Sequence, residues 1–282
     1  ATIPAGFAVS QVEGENTIED GLVIIDANGN EFVWIPINDI SMMAMNTEGK
    51  DKNGNDNYQG KLYIFNELGS NEMENYGQIT QSYREPAVLN GYDDIIAPTL
   101  DENWTELTYQ EQYNEMIESV IKNKGFYIGR FETNFNSNTV ESKRNTIVAN
   151  VNNINWYQMY QKSRQFASNS VQSSMVWGSQ WDAMLNFALS GKDSEKVNAS
   201  SNAPHDLTTA YKSGEQESDK INNIYDLEGN IREWTVETDE SSYRVVRGGM
   251  YDSASAPSFR LSRYNPGTSY YYNGSRLSLY IK

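Results

Sequence analysis

Few of the side chains that carry out chemistry in proteins are present in this sequence, because it has no cysteine and only one histidine. The lack of thiols excludes disulfides, cysteine nucleophiles and thiolate metal centres. His205 lies in the segment SNAPHDL, where we expect a solvated loop side chain rather than a base or a metal ligand. A Ser/His/Asp triad would require His205, and no nucleophile-elbow sequence lies near it. We therefore expect no catalysis, and no cofactor is indicated.

Acidic residues dominate the charge, with 38 Asp and Glu against 22 Lys and Arg and a net charge of −16. This charge repels nucleic acid and anionic lipid, so we expect neither nucleic-acid binding nor direct membrane binding. The neighbours Glu237, Asp239 and Glu240 are interpreted as solvated surface charge. The segment DKNGNDN, residues 51–57, lacks the glycine and glutamate spacing of an EF-hand loop and does not indicate a calcium site.

The stretch from Tyr251 to Ser275 has a composition typical of recognition surfaces. It uses Tyr, Asp, Ser, Ala, Pro, Phe, Arg, Leu, Asn, Gly and Thr but no Lys, Glu, Gln, Met or Trp. An Asn codon randomised at its two adenines can encode the types that are present and none of those five that are missing. Tyr gives large contacts with few rotatable bonds, and Ser, Gly and Asn give adaptable hydrogen bonds, as in antibody paratopes. The stretch therefore predicts a variable binding region.

Within this region we separate contact residues from framework residues. Leu277, Leu279 and Ile281 alternate as one apolar face and belong to the framework, as do Arg276 and the pair Arg260–Leu261, whereas Arg263 fits either group. The predicted contact residues are Tyr251, Asp252, Ser253, Ser255, Tyr264, Asn265, Thr268, Ser269, Tyr270, Tyr271, Tyr272 and Asn273. The competing interpretation is a tyrosine-rich edge strand packed on another part of the chain.

The elements that must position this region are a hairpin and several helices. GLVIIDANGNEFVWIP predicts strands over Leu22–Ile25 and Phe32–Ile35 joined by a type I′ turn at Asn28–Gly29. Apolar residues at helical spacing predict a helix that contains 113–121 and ends near Gly125, and a second helix over 156–166. A third helix is predicted to begin with Ser179 as its N-cap and to stop at Gly191.

The remaining sequence favours one α+β domain, 1–282, because helices precede a turn-rich antiparallel part without a clear linker. Residues 45–103 are rich in Asn, Gly, Asp and Glu and are interpreted as a long surface insertion. No apolar run approaches the roughly 18 residues of a spanning helix. The chain opens without Met or a signal-type core, so we expect that a leader or an anchor has been removed.

Three further features predict framework roles. The turn Asp226–Asn230 would place Gly229 at positive φ, and Gly248–Gly249 would let two backbone segments pass closely. Trp234 is expected to fill core volume. Glu233, if buried, needs a cation, and the candidates are Arg247, Arg260 and Arg276.

The strings FVWIP, GFYIGRFETN, INWYQMYQKSRQFA, WGSQWDAMLNFA, NIYDLEGNIREWT, RVVRGG and GSRLSL occur in the order of the landmarks of the formylglycine-generating enzyme family. The chain resembles that family from about Leu22 to Lys282, most strongly at 223–235 and 247–249 and loosely at VWGSQWDAM. The resemblance implies a C-type-lectin-like fold of the formylglycine-generating enzyme type with long surface insertions. It also implies that calcium could be held structurally by carbonyl and Asn or Asp oxygens.

The enzymatic activities of that family do not fit this sequence. The oxidase needs a pair of cysteines for copper, and the related sulfoxide synthases need several histidines for iron, whereas this chain has no cysteine and one histidine.

The variable tail after RVVRGG instead resembles the variable proteins of diversity-generating retroelements, which are similar in fold. That resemblance implies a ligand-binding protein that recognises a protein or glycan receptor. It further implies display on a cell surface, outside the cell or on a phage virion. Two alternatives stay open: a degenerate enzyme with an unrecognised metal site, and a carbohydrate-binding surface lectin without diversification.

Overall fold

The structure is a computed structural model that describes residues 1–43, 45–46, 59–60, 83–84, 106–136, 139–148, 153–166, 168–239, 243–259 and 263–282. Most of the expected insertion lies outside the described residues, including DKNGNDN. Glu240, Arg260 and Leu261 also lie outside them.

The described elements are mostly short strands, together with three α-helices. The first part of the chain forms β1 (Phe7–Val9), β2 (Val23–Asp26), β3 (Glu31–Pro36), β4 (Met45–Asn46), β5 (Gln59–Gly60), β6 (Tyr83–Arg84), α1 (Glu106–Asn123), β7 (Gly125–Gly129), β8 (Asn134–Phe135) and β9 (Val140–Glu141). The second part forms α2 (Trp156–Ser163), β10 (Val171–Met175), α3 (Gly178–Leu189), β11 (Lys220–Ile221), β12 (Ile224–Tyr225), β13 (Arg232–Asp239), β14 (Arg244–Arg247), β15 (Arg263–Tyr264), β16 (Asn273–Ser275) and β17 (Leu277–Ile281). The protein is thus of the mixed α+β class.

The larger sheet has six strands in the order β1-β2-β3-β7-β17-β10, and all its neighbours are antiparallel. β17 therefore lies inside this sheet although it is the last strand of the chain. Leu277 and Leu279 are buried and Ile281 packs against the core, as their alternation predicts. Ser278 and Tyr280 are buried as well, so β17 is covered on both faces.

The second sheet has the order β15-β14-β13-β16, and β6 pairs with the far end of β13. β16 runs parallel to β13, with Arg232 opposite Asn273 and Trp234 opposite Ser275. The C-terminal segment thus supplies β14, β15 and β16 to this sheet and then β17 to the other sheet. Both ends of the predicted variable region are consequently fixed by strand pairing.

The predicted hairpin is present, but its turn differs from the expected one. Asp26 N donates to Asn30 O at 3.0 Å and Gly29 N donates to Asp26 O at 3.1 Å, so three residues, 27–29, separate the bonded pair Asp26 and Asn30. Only Gly29 in this turn has positive φ, whereas a type I′ turn needs two such residues. The Asp26 carboxylate also accepts the N–H groups of Asn28 and Asn30, which favours the longer connection.

The three predicted helices exist, with differences at their ends. α1 buries Tyr113, Met116, Ile117 and Val120 as the spacing of its apolar residues predicts. Ile121 was wrongly expected on the same buried face, because it is 40% exposed. α2 begins at an Asn155 cap that pairs reciprocally with Gln158, and it ends at Ser163, before the expected end at 166. Ser179 was wrongly expected to cap α3: it lies inside the helix, which begins at Gly178. The buried Ser179 hydroxyl instead contacts the Tyr113 hydroxyl at 3.3 Å.

The main core joins residues of the larger sheet with α1, α2 and α3, and it contains Trp34, Trp156, Trp177, Trp181 and Trp234. A second, smaller cluster packs Val148, Ile231, Met250 and Tyr251 together. Within the described part of the chain, no helix combines the length and the apolarity needed to cross a membrane.

Candidate functional site

Four tyrosines of the C-terminal region form a connected group of rings, which we call the tyrosine cluster: Tyr264, Tyr270, Tyr271 and Tyr272. The ring centroids of Tyr264 and Tyr270 are 4.8 Å apart, and those of Tyr271 and Tyr272 are also 4.8 Å apart. Tyr272 lies 5.8 Å from Tyr264 and 5.7 Å from Tyr270. Tyr271 is 55% exposed, and the other three rings are partly exposed. The cluster is therefore open to a ligand.

β13 supplies the base of this cluster. Successive side chains of a strand point to opposite faces, so Arg232 and Trp234 share one face and Glu233 points to the other. The buried Trp234 ring lies 6.0 Å from Tyr264 and 6.1 Å from Tyr270. Arg232 Nη1 donates to the Tyr264 hydroxyl at 2.6 Å. The tyrosines consequently rest on side chains of a paired strand.

The predicted contact residues differ in accessibility. Asp252, Asn265, Thr268, Ser269 and Tyr271 are exposed, and Ser253, Ser255, Tyr264, Tyr270 and Tyr272 are partly exposed. A role in binding stays a prediction for these residues.

Tyr251 and Asn273 were wrongly expected at the surface. Tyr251 is buried in the smaller core cluster, and its carbonyl accepts the N–H of Leu207 at 3.0 Å. Asn273 is fully buried in β16, where strand pairing places it opposite Arg232. Both positions are enclosed by parts of the chain far away in sequence, which composition alone does not reveal.

On the opposite face of β13, Glu233 pairs with Arg276, and this selects one of the three candidate cations. Arg276 Nε donates to Glu233 Oε2 at 3.0 Å, and a second bond joins Arg276 Nη2 to Glu233 Oε1. Arg276 also donates to the carbonyls of Gly129 at 2.9 Å and Tyr225 at 2.7 Å. Arg276 therefore ties β13 to β7 and β12 behind the tyrosine cluster.

Arg247 is used differently, because it holds the backbone of the C-terminal region. Its guanidinium pairs with Asp182 of α3 at 2.8 Å and donates to the carbonyls of Ser258 at 2.9 Å and Phe259 at 2.8 Å. All of the Arg247 side chain is buried. The segment that leads to the tyrosine cluster is thus fastened to α3.

The glycines of the framework allow close backbone approach, as predicted for Gly248–Gly249. A Cβ on Gly248 would lie 2.5 Å from Leu227 O, and one on Gly249 would lie 2.5 Å from Glu228 O. Gly229 was wrongly assigned positive φ; that conformation belongs to Asp226 and Asn230. Gly229 is required for space instead, since a Cβ there would lie 2.5 Å from the Tyr211 hydroxyl.

Several carboxyl groups are buried behind this framework. Burial, then the charges of Asp226 and Glu233, raise the pKa of Glu132 well above its usual range. Burial likewise raises the pKa of Asp219 and raises that of Asp226 to about 7. Gly214 N donates to Asp226 Oδ2 at 2.6 Å, and Asp226 Oδ1 has no hydrogen-bond partner. Folding therefore shifts the titration of these three carboxyl groups to higher pH.

Two expectations about charged groups need correction. His205 is not a solvated side chain: its Nε2 lies 2.9 Å from Oε1 of the buried Glu228, which also accepts the N–H of Asn202. Glu237 is not surface charge: it is fully buried and packs against the start of α3, where a Cβ on Gly178 would meet its carboxylate. Within the described residues no group of three or more His, Asp or Glu side chains is arranged to hold a metal.

Sequence reasoning missed Arg232 and Leu207. Arg232 could have been found from strand alternation, because an inward Glu233 requires an outward Arg232. Leu207 is 37% exposed and is held beside Tyr251 by its backbone N–H. No local sequence signal places Leu207 there.

No protein-family model matches the chain, and no curated protein matches it. Among solved structures, the chain is similar to Treponema denticola variable protein 1, with 14% sequence identity and a TM-score of 0.33. That match covers 98% of this chain and 99% of the other.

Proposed function

We propose that this chain is a non-catalytic ligand-binding protein of C-type-lectin-like fold whose C-terminal face is a diversified binding surface. The observation that carries the proposal is the tyrosine cluster, which is open to solvent and rests on the paired strand β13. Tyr is favoured in binding surfaces because its large ring makes contacts at a small cost in side-chain entropy. The surrounding Ser, Thr, Asn and Asp side chains supply hydrogen bonds.

The shape of the site supports a macromolecular ligand. Small-molecule sites are usually concave and enclose most of the ligand. In the described part of the chain, open cavities of about 580 and 480 Å³ lie away from the tyrosine cluster, and neither is lined by one of its residues. The cluster is a surface group of rings, which suits a receptor presented on another cell or surface. We place the protein on a cell surface, outside the cell or on a phage virion, with structural calcium as a further proposal.

A display experiment tests the binding role. One library randomises Asp252, Thr268, Ser269 and Tyr271, which are exposed. Asn265 is kept, because its Oδ1 accepts the N–H of Gly267 at 2.8 Å. The matched control library randomises four exposed positions of another segment: Val12, Glu13, Asn16 and Glu19.

Both libraries are selected against the same purified bacterial outer-surface proteins and the same glycan array. We expect specific binders from the first library and few from the control library. Equal yields from the two libraries would contradict the proposal. Binders from the first library that recognise glycans alone would favour the surface-lectin alternative.

Diversification is tested in the genome. We expect an imperfect copy of the 3′ end of the gene that differs mainly at adenines and lies beside a reverse-transcriptase gene. A locus without such a copy would leave a binding protein that is not diversified. Metal analysis of untagged protein tests the enzymatic alternative, which requires a stoichiometric redox metal.

A further inference from the structure

Most of the hydrogen-bonding capacity of Arg232 is unused within the described part of the chain. A guanidinium has five N–H donors. Arg232 Nη1 donates to the Tyr264 hydroxyl at 2.6 Å, and Nε is buried without a hydrogen-bond partner. Nη2 donates to no described residue, and the Arg232 side chain as a whole is partly exposed. No carboxylate of the described residues pairs with this side chain.

Four other arginines of the described chain pair with carboxylates, whereas Arg232 and Arg164 do not, and of these two only Arg232 contacts the tyrosine cluster. Arg130 pairs with Glu15 and Glu31, and Arg144 pairs with Glu217. The remaining two pairs are those of Arg247 with Asp182 and Arg276 with Glu233. In a protein of net charge −16, acidic residues are in excess, so an arginine at the candidate site that pairs with no carboxylate of the described residues is available to an acidic group of a partner.

The surroundings of Arg232 strengthen its preference for a charged acceptor. Its guanidinium carbon lies 5.9 Å from the ring centroid of Tyr264 and 5.7 Å from that of Tyr272. The rings remove water from part of the cation, and hydrogen bonds to charged groups are stronger where water is excluded. Its backbone N–H is fixed by the Tyr272 carbonyl at 2.9 Å. Arg232 is thus held by β13 and does not depend on the sequence of the exposed tail positions.

We propose that Arg232 is the constant anchor of the binding surface and takes the carboxylate of an Asp or Glu side chain on a partner protein. This inference rests on the proposed function and names the chemistry that all variants of the surface would share. The carboxylate binds at the Nη2 edge, and the rings of Tyr264 and Tyr272 pack around it. Protein–protein hot spots are enriched in Arg and Tyr, and the residues around them contribute little binding energy.

The test uses three display libraries with identical randomisation of Asp252, Thr268, Ser269 and Tyr271. One has the wild-type framework, one carries Arg232→Gln, and one carries Arg144→Gln. Arg144 is a matched control because its guanidinium also lies over a ring, 4.6 Å from the Tyr225 centroid, but is paired with Glu217. Each library is selected against an immobilised peptide whose only charged residue is a central Glu, the same peptide with Gln, and hyaluronate.

We expect the wild-type and Arg144→Gln libraries to yield at least about tenfold more binders for the Glu peptide than for the Gln peptide. A ratio of this size corresponds to the binding free energy of one charge-assisted hydrogen bond. The Arg232→Gln library should lose that excess and still bind the Gln peptide. A Glu excess that survives Arg232→Gln would overturn the anchor and leave the proposed function intact. Arg232-dependent binding of hyaluronate alone would overturn it in favour of an acidic glycan. Failure of all three libraries with every probe would overturn both proposals.

Discussion

Glu233 and Arg276 show how individual residues hold the proposed binding surface from behind. Both side chains are buried, and burial raises the pKa of Glu233 although the Arg276 charge opposes the shift. The requirement for a cation beside Glu233 could be predicted from sequence. The choice of Arg276 among three arginines could not, because it depends on the parallel pairing of β13 with β16.

At this residue scale, we expect Glu233→Gln to lower the free energy of unfolding by about 3 to 5 kcal/mol, because it leaves the buried Arg276 charge without its carboxylate. Chemical denaturation at neutral pH measures the change. Glu217→Gln is the control, since Glu217 is 60% exposed and pairs with Lys220 and Arg144 at the surface. It should cost less than about 1 kcal/mol. Equal losses in the two variants would refute the structural role of the Glu233–Arg276 pair.

Asp226 makes stability depend on pH. Its pKa is raised by burial to about 7, whereas an unfolded aspartate titrates near 3.9. Between these values the folded state holds a proton that the unfolded state has lost, so stability falls as pH rises. Asp226→Asn should reduce the slope of the free energy of unfolding against pH by up to about 1.4 kcal/mol per pH unit. Unfolding curves for both proteins at pH 5, 6, 7 and 8 measure this slope. If the stability of the two proteins changes with pH in parallel, Asp226 is ionised throughout this range.

At the scale of elements, the spacing of apolar residues predicted those helices and strands that depend least on pairing and packing with distant parts of the chain. α1 and the β2–β3 hairpin follow from the spacing of their apolar residues. The start of α3 and the hairpin turn did not follow, because Ser179 lies inside α3 with its hydroxyl against that of Tyr113, and because Asp26 caps a longer turn. Tyr251 was misjudged for a similar reason, since it is covered by residues such as Val148 that are distant in sequence.

At the scale of elements, the segment 248–249 crosses closely over the segment 227–228. This crossing fixes the backbone behind the proposed binding surface. A Cβ on Gly249 would lie 2.5 to 2.7 Å from Glu228 O, Ser253 O and Ser255 N, all of which are backbone atoms. We expect Gly249→Ala to cost about 1 to 3 kcal/mol, measured by thermal unfolding. Gly267→Ala is the control, because its nearest neighbour is the exposed Asn265 side chain at 3.3 Å. A Gly249→Ala protein as stable as the control would show that these segments do not pack as described.

At the scale of the whole molecule, the C-terminal region is both a surface and a structural component. Its strands β14, β15 and β16 complete one sheet, and β17 lies inside the other. Among the described residues between these strands, the exposed side chains include Asp252, Thr268, Ser269 and Tyr271. Composition predicted a variable stretch, but only the fold separates the positions that can vary from those that cannot.

The central claim is that the framework stays folded when the exposed residues of the C-terminal face are changed. The most direct measurement is the fraction of folded variants, scored by protease resistance of displayed protein, after Asp252, Thr268, Ser269 and Tyr271 are randomised together. The comparison library randomises four buried residues of β17, Leu277 to Tyr280. We predict that most variants of the exposed positions stay as resistant as the wild type and that few of the β17 variants do. Similar losses of resistance in the two libraries would contradict the account.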